Sequence, residues 1–370
     1  MKKIVYLMEY PIDLPGGAQL STKSICDELA AHPECGYEPV VICPELLTTK
    51  KEEYGFKIRT YKMGEKRVIN LFFRIKAFKK IIAEEKPDLI HIEMSESLIT
   101  YGFIRKSFKE IPYIYTDRGM FYGYRKRSQL FMFPVLKDAS ALVTTTEKNA
   151  GLWKSNTDFG PVSTIPNTIS DAFADFDESK RKKNGRFTIG FAGRICIEKD
   201  WPFVPVLVEA IHKAGVEFDV GLVLSIFEKG DDLQVEDLKN KISAIIGSEH
   251  LHFYQDLSQA EMSDFYYSCD VFAMTSQFES FGKAAVEAMS RGCAVVATDV
   301  GGLAEVIGKA ENLYTKSTVE KCVDYIKAVS EDKEKLKADQ NYFLQRYRAN
   351  YTSKAYLERH VKLYDEVLAK

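Results

Sequence analysis

Two glutamates, Glu279 and Glu287, frame the start of a predicted helix in the segment FESFGKAAVEAMSRGCAVVATDVGG. Glu279 precedes the helix and Glu287 is expected about two turns into it, so the two carboxylates are too far apart for a short-range acid–base pair. We expect each to contact a different part of one extended ligand, such as sugar hydroxyl groups at two places. Gly282 lets a ligand approach the backbone, and free amide groups at a helix start favour an anion. The segment therefore predicts a site for a ligand with hydroxyl groups and phosphates.

The residues that follow weaken the simpler explanation, a pair of solvated glutamates on a surface helix. CAVVAT predicts a strand that leads directly into DVGGLAEVI, a Gly-Gly turn followed by a new helix start. The carboxyl ends of parallel strands lie at one edge of a sheet, where open α/β sheets bind ligands. Two neighbouring strand ends with glycine-rich turns therefore favour a binding site at that edge.

This stretch resembles the hallmark of the family 4, retaining, GT-B glycosyltransferases, a Glu-x7-Glu segment followed by a strand and a Gly-Gly turn. The resemblance extends over almost the whole chain, and this segment is its most specific part. It implies that Glu279 contacts the transferred sugar and that Glu287 contacts the ribose of the donor nucleotide. The backbone of the four residues after Glu279 would approach the sugar and phosphate groups between them: Ser280, Phe281, Gly282 and Lys283.

A second motif, GFAGRICIEKDW, resembles the family's F-x-G-R-x-x-x-x-K-G element. By this resemblance, Arg194 and Lys199 bind the donor diphosphate and stabilise its leaving charge. Departure of a nucleoside diphosphate places negative charge on phosphate oxygen, and fixed cations lower that barrier. The simpler alternative is a pair of surface cations after a strand. Asp200 stands where the family often has glycine.

The N-terminal segment PGGAQLSTKSICDELA contains a Gly-Gly turn before a predicted helix. In the family such a turn lies beneath the donor phosphates and near the acceptor, which assigns Gly16 and Gly17 to the donor site. A lone Gly-Gly pair is usually only a tight turn. Its position directly after the first predicted strand favours the functional interpretation, because a helix start there attracts an anion.

The segment YTDRGM departs from the family pattern T-x-H-G, because Arg118 stands where relatives carry a histidine that touches the donor sugar or the reacting centre. A guanidinium does not titrate near neutral pH, but it can bind a phosphate, a carboxylate or a sugar hydroxyl. We therefore place Asp117 and Arg118 on the acceptor or sugar side of the site, and a negatively charged group on the donor or acceptor is one hypothesis. A further departure replaces the family's G-D-G-P loop with residues 225–230, so the nucleotide base is not specified.

Short apolar runs of five to seven residues alternate with helical patterns, as in parallel sheets covered on both faces. The first half has five such runs, at residues 4–8, 39–43, 88–92, 112–117 and 141–146. The second half has another five, at residues 187–193, 220–226, 250–254, 271–276 and 294–298. The pattern predicts two α/β halves in series, and the resemblance implies the GT-B fold, two Rossmann-like domains facing a central cleft.

The predicted organisation places an N-terminal acceptor domain at residues 1–168 and a C-terminal nucleotide-sugar donor domain at residues 187–351. Residues 169–186 are polar, charged and rich in turn formers, as expected of a linker. A last amphipathic helix, at about residues 352–370, follows the completed second half and is expected to cross back to the first domain.

The composition is that of a globular protein, with 45% hydrophobic and 28% charged residues and a formal net charge of −2. Residues 1–168 hold 25 basic and 20 acidic side chains, and residues 169–370 hold 26 and 33. The seven cysteines form no zinc-ligand spacing with the six histidines, which is typical of buried thiols in a reducing compartment. We therefore expect a cytoplasmic protein without a signal peptide or a spanning helix.

Basic and aromatic residues occur together in the first half, above all in LFFRIKAFKKII at residues 71–82 and in the run Arg125-Lys126-Arg127. The simpler interpretation is a helix with one core-facing and one solvated side. The alternative is a surface that rests on an anionic membrane and suits a lipid-linked acceptor, which would make the protein peripheral on the inner face. Nothing resembles a reader of nucleic acid, and the second half is acidic.

These features predict a retaining hexosyltransferase that moves a sugar from a nucleotide-diphosphate sugar, UDP-sugar by the resemblance, to an acceptor hydroxyl on a glycan or glycolipid. The resemblance implies a role in cell-surface polysaccharide assembly, with no cofactor and no metal, since Arg194 and Lys199 supply the cations. Two alternatives stay open, a non-catalytic carbohydrate-binding or assembly subunit and a GT-B nucleotide-sugar epimerase.

Overall fold

A computed structural model describes residues 1–64, 67–181, 185–226 and 231–370 of the chain. Within these ranges the chain forms two compact units. The first unit comprises Met1–Ile169 together with Ser353–Lys370, and the second comprises Ser170–Thr352. Each unit contains one sheet whose strands are all parallel, as the apolar runs in the sequence predicted.

The first unit contains a seven-stranded sheet in the order β3-β2-β1-β4-β5-β6-β7. Its strands are β1 (Lys2–Leu7), β2 (Tyr37–Pro44), β3 (Lys57–Tyr61), β4 (Leu89–Glu93), β5 (Tyr113–Asp117), β6 (Ala141–Thr144) and β7 (Val162–Thr164). The central strands are buried on both faces, and β4 and β5 are buried at every residue. Near-continuous apolar runs such as these are typical of parallel sheets, because helices cover both faces.

Six α-helices complete the described part of the first unit. They are α1 (Gly17–Ala31), α2 (Arg67–Glu85), α3 (Ser95–Gly102), α4 (Lys126–Leu136), α5 (Glu147–Asn156) and, from the end of the chain, α13 (Ser353–Leu368). Thr146 caps α5 by accepting a hydrogen bond from the backbone amide of Asn149. Within the described residues of the whole chain, no helix is both long and apolar enough to cross a membrane.

Helix α13 packs against α1 and against the sheet of the first unit, so the last helix crosses back to it as predicted. Its Tyr356, Leu363 and Tyr364 side chains belong to the same apolar core as Ile4 and Tyr6 of β1. The amphipathic pattern of the last segment is explained by this contact, since one helical face is buried and the other is solvated.

Polar groups also join α13 to the sheet. The hydroxyl of Tyr364 is 2.6 Å from the hydroxyl of Tyr6 and 2.9 Å from Nδ1 of His91, and all three side chains are fully buried. Burial, together with the charge of Arg118, lowers the pKa of His91 to about 3, so its ring is neutral. A neutral ring can both donate and accept, which lets Thr116 Oγ1, at 2.6 Å, complete the chain of hydrogen bonds.

The second unit contains a six-stranded sheet in the order β10-β9-β8-β11-β12-β13. Its strands are β8 (Phe187–Arg194), β9 (Phe218–Ser225), β10 (Leu251–Gln255), β11 (Val271–Met274), β12 (Ala294–Thr298) and β13 (Leu313–Tyr314). Its helices are α6 (Phe203–Lys213), α7 (Asp231–Ile246), α8 (Gln259–Tyr267), α9 (Lys283–Ser290), α10 (Leu303–Ile307), α11 (Val319–Glu331) and α12 (Lys333–Asn350). Ser258 and Glu261 form a capping box at the start of α8.

Part of the segment expected as a linker, residues 169–186, packs on the second unit. Phe173 is fully buried there, and the Arg291 guanidinium donates to the carbonyl oxygens of Ala172 and Asp175. The aromatic residue buries apolar surface that a solvated linker would leave exposed, which explains why the segment is held. Of the loop that departs from G-D-G-P, residues 227–230 lie outside the described residues.

We predict that Tyr364→Phe loosens α13. The change removes the buried hydrogen-bond partner of His91 Nδ1 and of the Tyr6 hydroxyl, which costs about 1–3 kcal/mol. The measurement is amide hydrogen exchange across Ser353–Leu368, where the free energy of opening should fall by that amount. Lys362→Ala, on the exposed side of the same helix, is the control and should leave it unchanged. Unaltered exchange in Tyr364→Phe would contradict the proposed contribution of these hydrogen bonds.

Candidate functional site

Three neighbouring strands of the second unit, β8, β11 and β12, end at the same edge of its sheet. The ends of these strands and the segments that follow them carry most of the site residues that the sequence predicted. Lys199 follows β8, Glu279 follows β11 and the Gly301-Gly302 turn follows β12. The parallel topology therefore places the two motifs of the second half side by side.

Lys199 and Glu279 form an ion pair, with Lys199 Nζ 2.6 Å from Glu279 Oε2. The lysine side chain is 20% exposed and the glutamate side chain 17%, so water only partly screens the pair. Hydrogen bonds fix the two loops to each other: Thr275 Oγ1 donates to the carbonyl oxygen of Lys199 at 3.0 Å, and Gln277 N donates to that of Glu198 at 2.8 Å. The two charges are therefore held by the backbone as well as by mutual attraction.

Asp200 occupies a left-handed backbone conformation, with φ 53° and ψ 47°, at the end of the short turn that contains Lys199. Glycine adopts this conformation without steric cost, and aspartate tolerates it better than most residues do. Lys316 lies against the buried carboxylate of Asp200 and neutralises it. The left-handed conformation and the Lys316 contact therefore accommodate an aspartate where the family often has glycine.

The Gly301-Gly302 turn closes directly on the backbone of Glu279. Gly302 N donates to the carbonyl oxygen of Glu279 at 2.9 Å. Gly301 has φ +52°, and a Cβ atom at this position would lie 1.8 Å from the same carbonyl oxygen. Only glycine fits, so the Gly-Gly turn that the sequence places after β12 supports the loop that carries Glu279.

The residues after Glu279 lead into α9 through Gly282, the N-cap residue, which has φ +100°. A Cβ atom at Gly282 would lie 2.5 Å from Cδ2 of Leu303, so the second glycine-rich segment packs closely on the first. The Phe281 side chain is buried, with its ring centroid 5.8 Å from that of Tyr351. Phe281 therefore offers a ligand only its backbone, whereas Ser280 is partly exposed.

Glu287 is the fifth residue of α9, which begins at Lys283. It therefore lies little more than one turn into the helix, and the expected two turns were wrong because the helix starts after the glycine. Its partly buried carboxylate accepts a hydrogen bond from the hydroxyl of Tyr266, at 3.1 Å. Burial raises the pKa of the Glu287 carboxyl to about 7, while the Lys283 ammonium and the Tyr266 hydroxyl act in the opposite direction.

Arg194 is the last residue of β8, and its side chain is exposed. Its carbonyl oxygen accepts a hydrogen bond from Nε1 of Trp201 at 2.7 Å. This bond fixes the main chain at the strand end and leaves the guanidinium on the same sheet edge as Lys199. In the described part of the chain, no group of three or more histidine, cysteine, aspartate or glutamate side chains is arranged to hold a metal ion.

The N-terminal glycine pair belongs to the first unit, where Gly17 begins α1 and Gly16 precedes it. Gly16 is in an extended conformation that any residue can adopt, so its backbone angles do not require glycine. A Cβ atom there would meet the flexible end of the Gln19 side chain, 2.4 Å from Oε1. Because neither glycine has a side chain, the backbone at the start of α1 is open to a ligand, as expected of an anion site.

Asp117 is fully buried at the end of β5, and both of its carboxylate oxygens accept hydrogen bonds. Oδ2 accepts from Trp153 Nε1 at 2.7 Å and from Asn149 Nδ2 at 2.9 Å. Oδ1 accepts from Gly119 N at 2.9 Å and from the hydroxyl of Tyr124. These contacts give Asp117 a structural role, and its expected contact with a sugar stays a prediction.

Arg118 forms a two-point ion pair with Glu93, which is fully buried at the end of β4. Nε and Nη2 of Arg118 lie 2.8 and 2.7 Å from the two carboxylate oxygens. Nη1 donates to Asn167 Oδ1 at 2.6 Å, and both terminal nitrogens lie 3.2 Å from the Tyr356 hydroxyl of α13. Burial opposes the charged form, but Glu93 outweighs it and raises the pKa of Arg118. This geometry supports a structural role for the guanidinium, and its expected contact with a ligand also stays a prediction.

Sequence reasoning missed Glu93, Asn167 and Tyr266, which contact Arg118 or Glu287. An acid at the end of the buried run LIHIE was a usable signal, because a buried carboxylate requires a partner and Arg118 follows the neighbouring strand. No comparable signal identifies Tyr266, since a tyrosine in an amphipathic helix is an ordinary core residue.

Two family models match the chain over adjacent segments. Residues 15–173 match the model described as Glycosyltransferase Family 4, and residues 173–343 match Glycosyl transferases group 1. Sucrose-phosphate synthase from Thermosynechococcus elongatus has a TM-score of 0.82 at 16% identity, with full coverage of both chains. Anabaena HepE in complex with UDP-glucose has a TM-score of 0.79 at 17% identity, covering 99% of this chain and 100% of that one. These likenesses identify the GT-B fold.

Curated relatives match at the level of sequence. The 2-deoxystreptamine glucosyltransferase of Streptomyces kanamyceticus is 30% identical over 47% of this chain and 46% of its own length, so the match spans less than half of that relative. The N,N'-diacetylbacillosaminyl-diphospho-undecaprenol alpha-1,3-N-acetylgalactosaminyltransferase of Campylobacter jejuni is 22% identical over 89% of this chain and 91% of its own length. The fold of the chain is that of the GT-B glycosyltransferases. The chain belongs to the family 4 glycosyltransferases.

We predict that Gly301→Ala destabilises the second unit by displacing the Glu279 backbone. An added Cβ atom must move main-chain atoms, which costs about 1–3 kcal/mol, beyond the roughly 1 kcal/mol of a left-handed alanine. Urea unfolding of the second unit measures the change. Gly215→Ala is the matched control, because Gly215 has φ +80° and no atom within 4 Å of the added Cβ. Equal losses in the two variants would contradict the role of the turn as a support for Glu279.

Proposed function

We propose that this chain transfers a hexose-type sugar from a nucleotide-diphosphate sugar to an acceptor hydroxyl, with retention of the anomeric configuration. The observation that carries this proposal is the Lys199–Glu279 ion pair, held between the ends of β8 and β11 and supported by the Gly301-Gly302 turn. A cation beside a carboxylate at a sheet edge suits a ligand that carries phosphates and hydroxyl groups together.

In the proposed reaction, the bond between the anomeric carbon and the phosphate oxygen breaks, and its electron pair leaves with the nucleoside diphosphate. Lys199 and the exposed Arg194 stabilise the charge that develops on that diphosphate, as fixed cations in a partly buried site do. The acceptor oxygen bonds to the same face of the anomeric carbon, and its proton passes to the departing phosphate. Glu279 orients the donor sugar and takes no covalent part. These roles require no metal ion.

A uridine nucleotide is the donor carrier that we propose, and Glu287 is the proposed ribose contact. HepE, a neighbour in fold, has been crystallised with UDP-glucose, which supports a UDP-sugar. Helix α9 begins at Lys283 and rises about 1.5 Å per residue, so Glu287, its fifth residue, lies farther along the helix axis than the helix start. A diphosphate at the helix start would therefore place its ribose toward Glu287, because the two groups are adjacent in a nucleotide.

The experiment measures binding of UDP, GDP, ADP and dTDP by calorimetry to the wild-type chain and to Lys199→Ala. We expect one nucleotide to bind and the substitution to weaken it at least about tenfold, since a charge-assisted hydrogen bond contributes about 1.5–3 kcal/mol. Lys241→Ala, at an exposed lysine of α7 paired with Asp237, is the control and should not change the affinity. A cooperatively folded protein that binds no nucleotide would overturn the proposal and favour a non-catalytic subunit.

Once the same assay has identified the donor sugar, reactions of that donor with and without an acceptor distinguish a transferase from an epimerase. Incubation with the acceptor should give a product whose anomeric configuration, read by NMR, equals that of the donor. Conversion of the donor in the absence of any acceptor would instead indicate an epimerase.

For the acceptor, we propose a glycan or lipid-linked sugar at the cytoplasmic face of a membrane, as part of cell-surface polysaccharide assembly. The relative from Campylobacter jejuni carries a diphospho-undecaprenol acceptor in its name, which supports a lipid-linked acceptor. The first unit offers a surface of matching chemistry. On α2, Ile69, Phe72 and Phe73 are 43%, 66% and 42% exposed, and exposed Lys76, Lys79 and Lys80 follow them.

A second helix of the first unit has the same character. Leu130 and Phe131 of α4 are 71% and 48% exposed, and the exposed run Arg125-Lys126-Arg127 precedes them. Both α2 and α4 pack on α3, which is followed directly by Phe103, 59% exposed. Exposed aromatic residues flanked by basic ones are typical of helices that lie in the interface of an anionic membrane.

We predict that the protein binds vesicles of phosphatidylglycerol and phosphatidylcholine more tightly than vesicles of phosphatidylcholine alone. Phe72→Ser with Phe73→Ser should weaken sedimentation with the anionic vesicles at least about tenfold, because each aromatic side chain contributes up to about 1.5–3 kcal/mol when buried. Leu233→Ser, at a residue 79% exposed on α7 of the second unit, is the control and should not change it. A wild-type chain that stays in the supernatant would remove the membrane proposal and leave the transfer reaction untouched.

A further inference from the structure

The second unit holds a fully buried tyrosine, Tyr266, whose hydroxyl donates to Glu287 Oε2 at 3.1 Å. Tyr266 is the penultimate residue of α8, and Glu287 is on α9, so the bond joins two helices. Burial of a phenol hydroxyl is costly unless it has a hydrogen-bond partner. Glu287 is such a partner, and the bond orients its carboxylate.

The packing around Tyr266 leaves its ring little freedom to move. Its centroid is 5.2 Å from that of Phe272 on β11 and 6.0 Å from that of Phe173. Two further bonds join the region of α8 to the end of α9: Arg291 Nε donates to Ser263 Oγ at 2.6 Å, and Cys293 Sγ lies 3.1 Å from the Tyr266 carbonyl oxygen. The hydroxyl therefore has a fixed position relative to the helix that carries Glu287.

A carboxylate with one oxygen engaged by a fixed donor has its second oxygen directed by the same contact. The groups that act electrostatically on Glu287 are Lys283 on its own helix, Tyr266 on α8 and Lys199 in the loop after β8. All three favour the charged form, whereas burial favours the neutral one and raises the pKa to about 7. Removal of any of the three should therefore raise the pKa of Glu287 further.

We propose that Tyr266 is a positioning residue of the donor site, whose hydroxyl fixes the Glu287 carboxylate so that it accepts hydrogen bonds from the vicinal hydroxyl groups of a ribose. This inference rests on the proposed function, because it assumes a nucleotide at α9. The inference adds Tyr266 to the donor site as a residue that does not contact the ligand and that acts through Glu287.

Tyr266→Phe removes only the hydroxyl and keeps the packed ring, so it tests the inference without removing the core residue. We expect the affinity for UDP, measured by calorimetry, to fall about three- to tenfold at pH 7, which is the range of an ordinary net hydrogen bond, because Tyr266 acts on the ligand only through Glu287. Affinity should rise between pH 6 and pH 8 as Glu287 ionises. In Tyr266→Phe the midpoint of that rise should move to higher pH, and the ratio to wild type cancels the titration of UDP itself.

Tyr267→Phe is the matched control. Tyr267 is the next residue of the same helix and is also buried, but its hydroxyl accepts from Asp177 N at 2.8 Å and does not contact Glu287. It should bind UDP as the wild type does. Glu287→Gln should bind UDP weakly without the pH-dependent rise, and adding Tyr266→Phe to it should cost little more.

The outcomes distinguish this inference from the proposed function. If Glu287→Gln weakens UDP binding and Tyr266→Phe does not, the donor site stands and the positioning role is wrong. Equal losses in Tyr266→Phe and Tyr267→Phe, or additive losses in the double variant, would also overturn it, because both indicate a general effect on folding. If Glu287→Gln itself has no effect while the wild type binds UDP, the ribose contact is wrong and the inference fails with it.

Discussion

The site in the second unit depends on one steric constraint, the absence of space for a side chain at Gly301. The main chain of Gly301 lies so close to the Glu279 carbonyl oxygen that the loops after β11 and β12 are in direct backbone contact. Glu279 also pairs with Lys199 from the loop after β8, so the Glu279 loop contacts the loops on both sides of it along the sheet edge. A sheet with parallel strands makes this arrangement available, because all of its strand ends lie at one edge.

The two units use the same type of sheet edge in different ways. In the second unit the charged residues of the edge are partly exposed, and a ligand can complete their hydrogen bonds. In the first unit Glu93, Asp117 and Arg118 are occupied by protein groups. Arg118 joins the end of β5 to Glu93 of β4 and to Tyr356 of α13, and Asp117 joins β5 to α5. Replacement of the family's histidine by Arg118 thus accompanies an internal ion pair, which an imidazole could not form at two points.

The sequence was sufficient for features that follow from a local pattern. Apolar runs predicted the central strands, for example at residues 88–92 and 294–298, and the glycine and charged motifs predicted the loops that meet at one edge. Strands β3, β7 and β13 were missed, because β3 is the polar sequence KIRTY and because β7 and β13 have only three and two residues. The partners of Arg118 were missed for a different reason, since Tyr356 is 238 residues away in the chain and no local pattern encodes that contact.

The return of α13 to the first unit also determines which unit can complete its folding first during translation. The second unit is one continuous segment, Ser170–Thr352, so all of its strands and helices have emerged before α13 does. The first unit begins earlier but keeps an apolar face of β1 and α1 uncovered until Ser353–Leu368 is made. Domains generally fold as units during translation, from the N-terminus onward. This topology reverses that order, because the unit that starts first is the last to be completed.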